Sequence, residues 1–119
     1  MDIFPHPSSE LSDTRKRLAP ATEAAFRAFS KQVFSDGALP AKVKQLIAVA
    51  VAHVTQCPYC IRGHTKGAIQ HGATPEEIME AIWVAAEMRA GGAYAHSLIA
   101  LSVLEEHLSQ HSGASQTPR

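Results

Sequence analysis

The stretch Cys57-Pro58-Tyr59-Cys60-Ile61-Arg62-Gly63-His64 constrains this chain more than any other. A proline directly after a cysteine fits the first turn of a helix, where its missing N–H costs nothing, and it cannot continue a helix from upstream. Pro58 therefore predicts a boundary, with one helix ending before Cys57 and another starting there. Cys57 becomes a cap residue, and Cys60 lies in the first turn among N–H groups that have no intrahelical partner. Those donors and the helix dipole favour a thiolate, so the Cys60 pKa is expected to fall. His64 follows by one turn on the same face as Cys60. A dithiol with an imidazole in reach at a helix start reads as a redox site.

The chain is 119 residues long, which is enough for one domain but small enough that self-association would help it. With 45% hydrophobic residues it is not a disordered chain, and eleven basic against eleven acidic residues leave no basic stripe. Neither nucleic acid nor an anionic membrane is expected as a partner. No apolar run approaches the length of a membrane span, and the first residues do not resemble an export signal, so a cytoplasmic location is expected. Two cysteines three residues apart close too small a loop to be a structural staple. In such a chain they read as redox-active or metal-binding.

The remaining punctuation predicts an all-α fold. Residues 1–14 are polar, carry Pro5 and Pro7, and are expected to form a flexible or loosely docked arm. A first helix is predicted from Pro20 to about Val33, with Phe26, Phe29 and Val33 at helical spacing. Pro40 opens a second, on which Val43, Leu46, Ile47, Ala50 and Val54 form an apolar stripe. The third starts at the dithiol and stops near His71-Gly72, with Gly72 as its terminal cap. Thr74-Pro75-Glu76-Glu77 carries the N-cap, first-position proline and capping-box glutamate of a fourth. Gly91-Gly92 is expected to break or kink that helix, and a last one carries Tyr94, Leu98, Leu101, Leu104 and Leu108. Residues 112–119 are expected to form a disordered tail.

Local chemistry leaves the order of the two thiols open: Cys57 is nearer the helix terminus, and Cys60 is nearer the imidazole. His64 can take a thiol proton near neutrality. His53 precedes Cys57 by four residues, and a turn near Thr55 would bring it back toward the thiols. Gln45 would be roughly 18 Å from Cys57 on one straight helix, but in an antiparallel pair it comes level with His64. There it could orient the imidazole by hydrogen bonding. His53, Cys57, Cys60 and His64 are four potential zinc ligands, yet consecutive helical turns present them side by side rather than tetrahedrally. No metal and no bound cofactor is expected.

The motif CPYCIRGH, the following GATPEEIxEA and the preceding lysine-bearing helix resemble the alkylhydroperoxidase AhpD / carboxymuconolactone decarboxylase family over residues 39–97. The retained dithiol is similar to the peroxidase-like branch, since the decarboxylase branch typically lacks it. The resemblance implies an all-helical domain with the dithiol at the N-terminus of a central helix, assembled as a homo-oligomer, a trimer or a hexamer. It implies a thiol peroxidase in which Cys60 attacks a hydroperoxide, Cys57 resolves the sulfenic acid as a disulfide, and His64 relays the proton. The oxidant would be hydrogen peroxide or an organic hydroperoxide, and an external thiol or dithiol would restore the pair. Two positions depart from the family pattern: a relay glutamate is replaced by Gln45, and a histidine between the cysteines by Tyr59. A glutamine cannot hold negative charge. Weak activity, substitution by His53, or a different thiol reaction would each follow. The alternatives are a general thiol–disulfide oxidoreductase or relay, and a non-enzymatic helical oligomer whose dithiol senses redox state or is vestigial.

Overall fold

A computed structural model describes residues 3–116, with side chains through 111. Five helices account for the fold, and no strand occurs among the described residues: α1 Ser9–Leu18, α2 Pro20–Val33, α3 Ala41–Thr55, α4 Pro58–Gln70 and α5 Pro75–Gln116.

The α3–α4–α5 unit is built from local stop and start signals. Helix α3 ends at Gln56, which takes the left-handed conformation (φ 59°), so the chain reverses and the Cys57 N–H reaches back to the Ala52 carbonyl at 3.1 Å. Cys57 is extended and caps α4, with Pro58 in the first position. The far end of α4 closes through Gly72 at φ 88°, where a side chain would be strained. The Ala73 N–H bonds the Ala68 carbonyl at 2.9 Å, and the Gly72 N–H bonds Ile69 at 3.0 Å. These two bonds form the paired terminal motif that satisfies the last carbonyls of a helix. The capping box that opens α5 is reciprocal: the Thr74 N–H donates to Glu77 Oε1 at 2.9 Å, and the Glu77 N–H to Thr74 Oγ1 at 3.1 Å.

Helix α3 is the central element, with α4 antiparallel to it and α5 parallel. The parallel register is pinned at two places separated by the same 35 positions. Lys42 pairs with Glu77 at 2.9 Å, and Arg89 donates to the Val54 carbonyl at 3.4 Å. The Lys42 ammonium, and next the Thr74 backbone, hold the Glu77 carboxyl below its ordinary range. Val49 and Ala68 are fully buried, Ala73 nearly so, and Leu46, Ile78 and Ile82 pack around them. Small residues at 52, 68, 73 and 85 let the three helices approach closely. The buried face of α3 is Ala41, Gln45, Val49 and Ala52. Of the apolar stripe expected from the sequence, Ile47 and Val54 are exposed instead.

Three expectations change. Helix α1 occupies part of the stretch expected as an arm. Ser8 caps it by accepting from the Leu11 N–H, and Arg15, Lys16 and Arg17 suit the dipole at its end. Its apolar residues are too few to show a stripe, so only the capping chemistry announces it. Next, Gly91-Gly92 does not break the last helix, and α5 runs through both glycines. Each glycine costs about 1 kcal/mol against alanine in a helix, too little to stop one anchored upstream by a capping box and a packed face. The helix also continues into the expected tail as far as Gln116, while positions 117–119, like 1–2 of the arm, lie outside the described residues.

The molecule is elongated, measuring 75 × 37 × 33 Å with a radius of gyration of 23.0 Å. A compact chain of this length would have a radius of about 13–14 Å. Among the described residues, two regions contribute no buried residue to the core of α3, α4 and α5: the α1–α2 pair and the distal half of α5. Both carry bare apolar side chains, among them Phe26, Phe29, Leu98, Ile99 and Leu104.

Candidate redox site

The turn that joins α3 to α4 decides the geometry of the dithiol. Because Cys57 is the cap of α4, its Sγ accepts the Cys60 backbone N–H at 3.2 Å, as a serine or aspartate oxygen does at other helix starts. Both cysteines are reduced and half-buried. The two thiols share a proton unequally. A hydrogen bond from the Cys60 thiol, followed by one from the Cys60 N–H, lowers the Cys57 pKa from 9.0. The same thiol–thiol bond, then burial and the neighbouring charge, raise that of Cys60. Ionisation of the reduced pair is therefore favoured at Cys57, with Cys60 as the donor. This reverses the fall expected for Cys60 from its place in the first turn. Cys57, as the cap, receives the donors of the helix end that a first-turn residue was expected to use.

The antiparallel pairing of α3 and α4 brings Gln45 to His64, as the sequence spacing anticipates. His64 Nδ1–H donates to Gln45 Oε1 at 2.9 Å, and Gln45 is 8% exposed. This bond fixes the imidazole tautomer and leaves Nε2 with its lone pair available to take a proton. Gln45 is neutral, so it orients the ring without supplying the charge that a carboxylate would.

Two residues that the motif reading does not single out complete this arrangement. A Cβ on Gly67 would lie 2.5 Å from Gln45 Oε1, so the buried amide can occupy its place only because position 67 has no side chain. A glycine inside a helix is the available sequence signal for such a close approach. Phe34, just past α2, stacks on His64 with ring centroids 4.8 Å apart and planes at 28°. It stands at i+8 from Phe26, so the apolar spacing of α2, carried one residue past Val33, is the signal that points to it.

Cys60 and His64 both line an apolar cavity of about 430 Å³ and a more polar one of about 520 Å³; Cys57 lines neither of them. His53 is placed differently. Its Nδ1–H donates to the Val49 carbonyl at 2.7 Å, and it lines neither cavity. Tyr59, between the cysteines, donates its hydroxyl to the Pro5 carbonyl at 2.9 Å and meets Phe4 edge-on, while Arg62 donates to His6 Nδ1 at 2.9 Å. The segment before α1 thus docks beside the dithiol. Among the described residues no three His, Cys, Asp or Glu side chains converge as metal ligands, and no helix is long and apolar enough to cross a membrane.

Fold and site together define an all-helical dithiol protein, with the CxxC pair at the start of a helix packed antiparallel to its predecessor. The chain belongs to the carboxymuconolactone decarboxylase family, which it matches over residues 20–102. It is 64% identical over 103 residues to uncharacterized protein 4 in the cox locus of Paracoccus denitrificans, covering 87% of this chain and 92% of that protein. A carboxymuconolactone decarboxylase family protein from Legionella pneumophila superimposes with a TM-score of 0.63 at 35% identity, over 82% of this chain and 87% of the other. A Thermotoga maritima member, described with a suggested part in the antioxidative response, gives a TM-score of 0.56 at 29% identity, over 78% and 96% of the two chains.

Proposed function

We propose that the protein is a thiol peroxidase that reduces hydrogen peroxide or an organic hydroperoxide, with Cys60 as the attacking thiol. The observation that carries this reading is the shared position of Cys60 and an oriented His64 on two open cavities. His64 Nε2 takes the Cys60 thiol proton, and the thiolate attacks the terminal peroxide oxygen. The O–O bond breaks, the imidazolium returns the proton to the departing alkoxide or hydroxide, and Cys60 becomes a sulfenic acid. Cys57 displaces water from that sulfur, closing the disulfide. Two reducing equivalents from an external thiol or dithiol reopen it. The antioxidative description of the Thermotoga relative supports the same chemistry. His53 is left to the end of α3, and Gln45 has a positioning part.

Assembly into a homo-oligomer, a trimer or hexamer on the family resemblance, belongs to this reading. The bare apolar side chains of α5 are what such an assembly would cover.

A second reading, general thiol–disulfide exchange, is favoured by one observation: the lowered pKa falls on Cys57 at the helix cap. Stopped-flow oxidation of the reduced protein separates the two. Peroxide oxidation well above the rate of free cysteine, lost in Cys60→Ser, with a dimedone-trappable sulfenic acid accumulating in Cys57→Ser, is the expected result. A rate no faster than free cysteine, with rapid attack of Cys57 on a disulfide substrate, would replace the first reading with the second.

A further inference from the structure

Cys60 and His64 face two cavities, one apolar and one more polar, and the Phe34 ring lines both. The walls of the first include Val33, Ile47, Ala48 and Val51, and those of the second Ser30, Lys31, Gln45 and Gln70. Three residues are common to both: Phe34, Cys60 and His64. Gln45 pins the imidazole by its Nδ1 edge and Phe34 covers its face, so the two stacked rings form a fixed wall.

The two sides differ in what they can accept. The cation of the apolar side, Lys44, is turned onto the Ser35 carbonyl at 2.7 Å, which leaves that cavity to hydrocarbon. The polar side has Lys31 in its wall, and no Asp or Glu lines it. A carbon chain is favoured on the first side by loss of water from apolar surface, and an anion on the second by the unopposed positive charge.

We propose that Cys60 is served from both sides, with Phe34 as the specificity-determining partition between them. The carbon group of the oxidant docks in the apolar cavity, and a small anionic thiol reaches the site through the polar one past Lys31. In the reducing step that thiolate attacks one sulfur of the Cys57–Cys60 disulfide and expels the other as a thiolate, which takes up a proton. A second thiol then releases the reductant as its own disulfide and restores the dithiol. This rests on Cys60 being the attacking thiol, as argued above, and adds the routes by which its reactants arrive.

The test uses thiol-modifying probes rather than turnover. In a Cys57→Ser background, where serine keeps the cap acceptor, Cys60 is modified with benzyl, sulfonatoethyl and trimethylammonioethyl methanethiosulfonates, and each rate is read by mass spectrometry. Val51→Trp, at an exposed position on the apolar side, should slow the benzyl probe about tenfold relative to the sulfonate by excluding its ring. Lys31→Glu should reverse the sulfonate-to-ammonium preference by about tenfold in each direction, without moving the benzyl rate in step. Adding Phe34→Ala to Val51→Trp should restore the benzyl probe, because the two cavities then merge. If every variant changes all three rates by one factor, Cys60 has a single entrance and the proposal is wrong. Val51→Trp and Lys31→Glu decide this even where Phe34→Ala does not fold. A wild-type protein inert to peroxide would end the peroxidase reading and leave these rate ratios standing.

Discussion

The two ends of this molecule obey different rules. Around the dithiol, each helix end is closed: Cys57 caps α4, Gly72 terminates it, Thr74 and Glu77 cap each other, and Gln45 is buried on His64. Past Gly92, α5 continues for more than twenty residues, and its apolar side chains are exposed, Leu98 at 70%. The first region is specified by short-range polar geometry, and burial there comes from small residues fitting closely. The second is an exposed hydrophobic surface among the described residues. The candidate site and the exposed apolar surface are thus separated along the chain, the one held between α3 and α4 and the other carried by the distal half of α5.

That separation can be broken from either end. The largest effect is expected from Leu98→Glu. A leucine buried between subunits contributes about 1.5–3 kcal/mol, and a charge placed there adds a desolvation cost. Sedimentation should show the assembled species falling to monomer, with a marked loss of thermal stability. Modification of Cys60 by a small thiol reagent should be nearly unchanged. A wild-type protein that is already monomeric at micromolar concentration would contradict this side of the comparison. Gly67→Ala attacks the other end. Its Cβ displaces the Gln45 amide, costing about 1–3 kcal/mol as overpacking and lowering the peroxide rate about tenfold to a hundredfold as the imidazole loses its anchor. Recovery in Gly67→Ala/Gln45→Ala of stability but not rate would separate strain from orientation.

The thiol pair makes a pH prediction whose sign is fixed. The bond to Cys57 is the first cause of the raised Cys60 pKa, so Cys57→Ser should move the alkylation profile of Cys60 to lower pH and raise its rate at neutrality several-fold. Conversely, Cys60→Ala removes the main stabilising donor of Cys57, which should then alkylate more slowly at pH 7. Profiles that move in the opposite directions would assign the resting charge to Cys60. The smallest effect belongs to Thr74→Ala. It should cost about 1 kcal/mol by denaturant unfolding through loss of the cap, while both thiols keep their reactivity.

What could be read from the sequence divides along the same line. Pro20, Pro40, Pro58 and Thr74-Pro75 each mark a real helix start, because a proline or a cap acts on its own backbone and needs no distant partner. The meeting of Gln45 with His64 was also legible, since one reversal near Thr55 makes it a matter of counting turns. Gly91-Gly92 misleads because a local cost is compared there with packing and capping upstream. The exposed face of α3 misleads because an apolar stripe records that burial is wanted, and not by what.

By itself the sequence determined the starts of α2 to α5, the place of the dithiol at a helix cap, and the histidine one turn beyond it. These are short-range consequences of proline, caps and the helical period. Only the tertiary structure decided which thiol is favoured to ionise, because donors of the same turn compete for it. Only it placed Phe34 on the imidazole and Gln45 over a missing Cβ at Gly67, since those contacts depend on how separate helices approach. The tertiary structure also showed that the apolar side chains of the distal half of α5 stay exposed among the described residues.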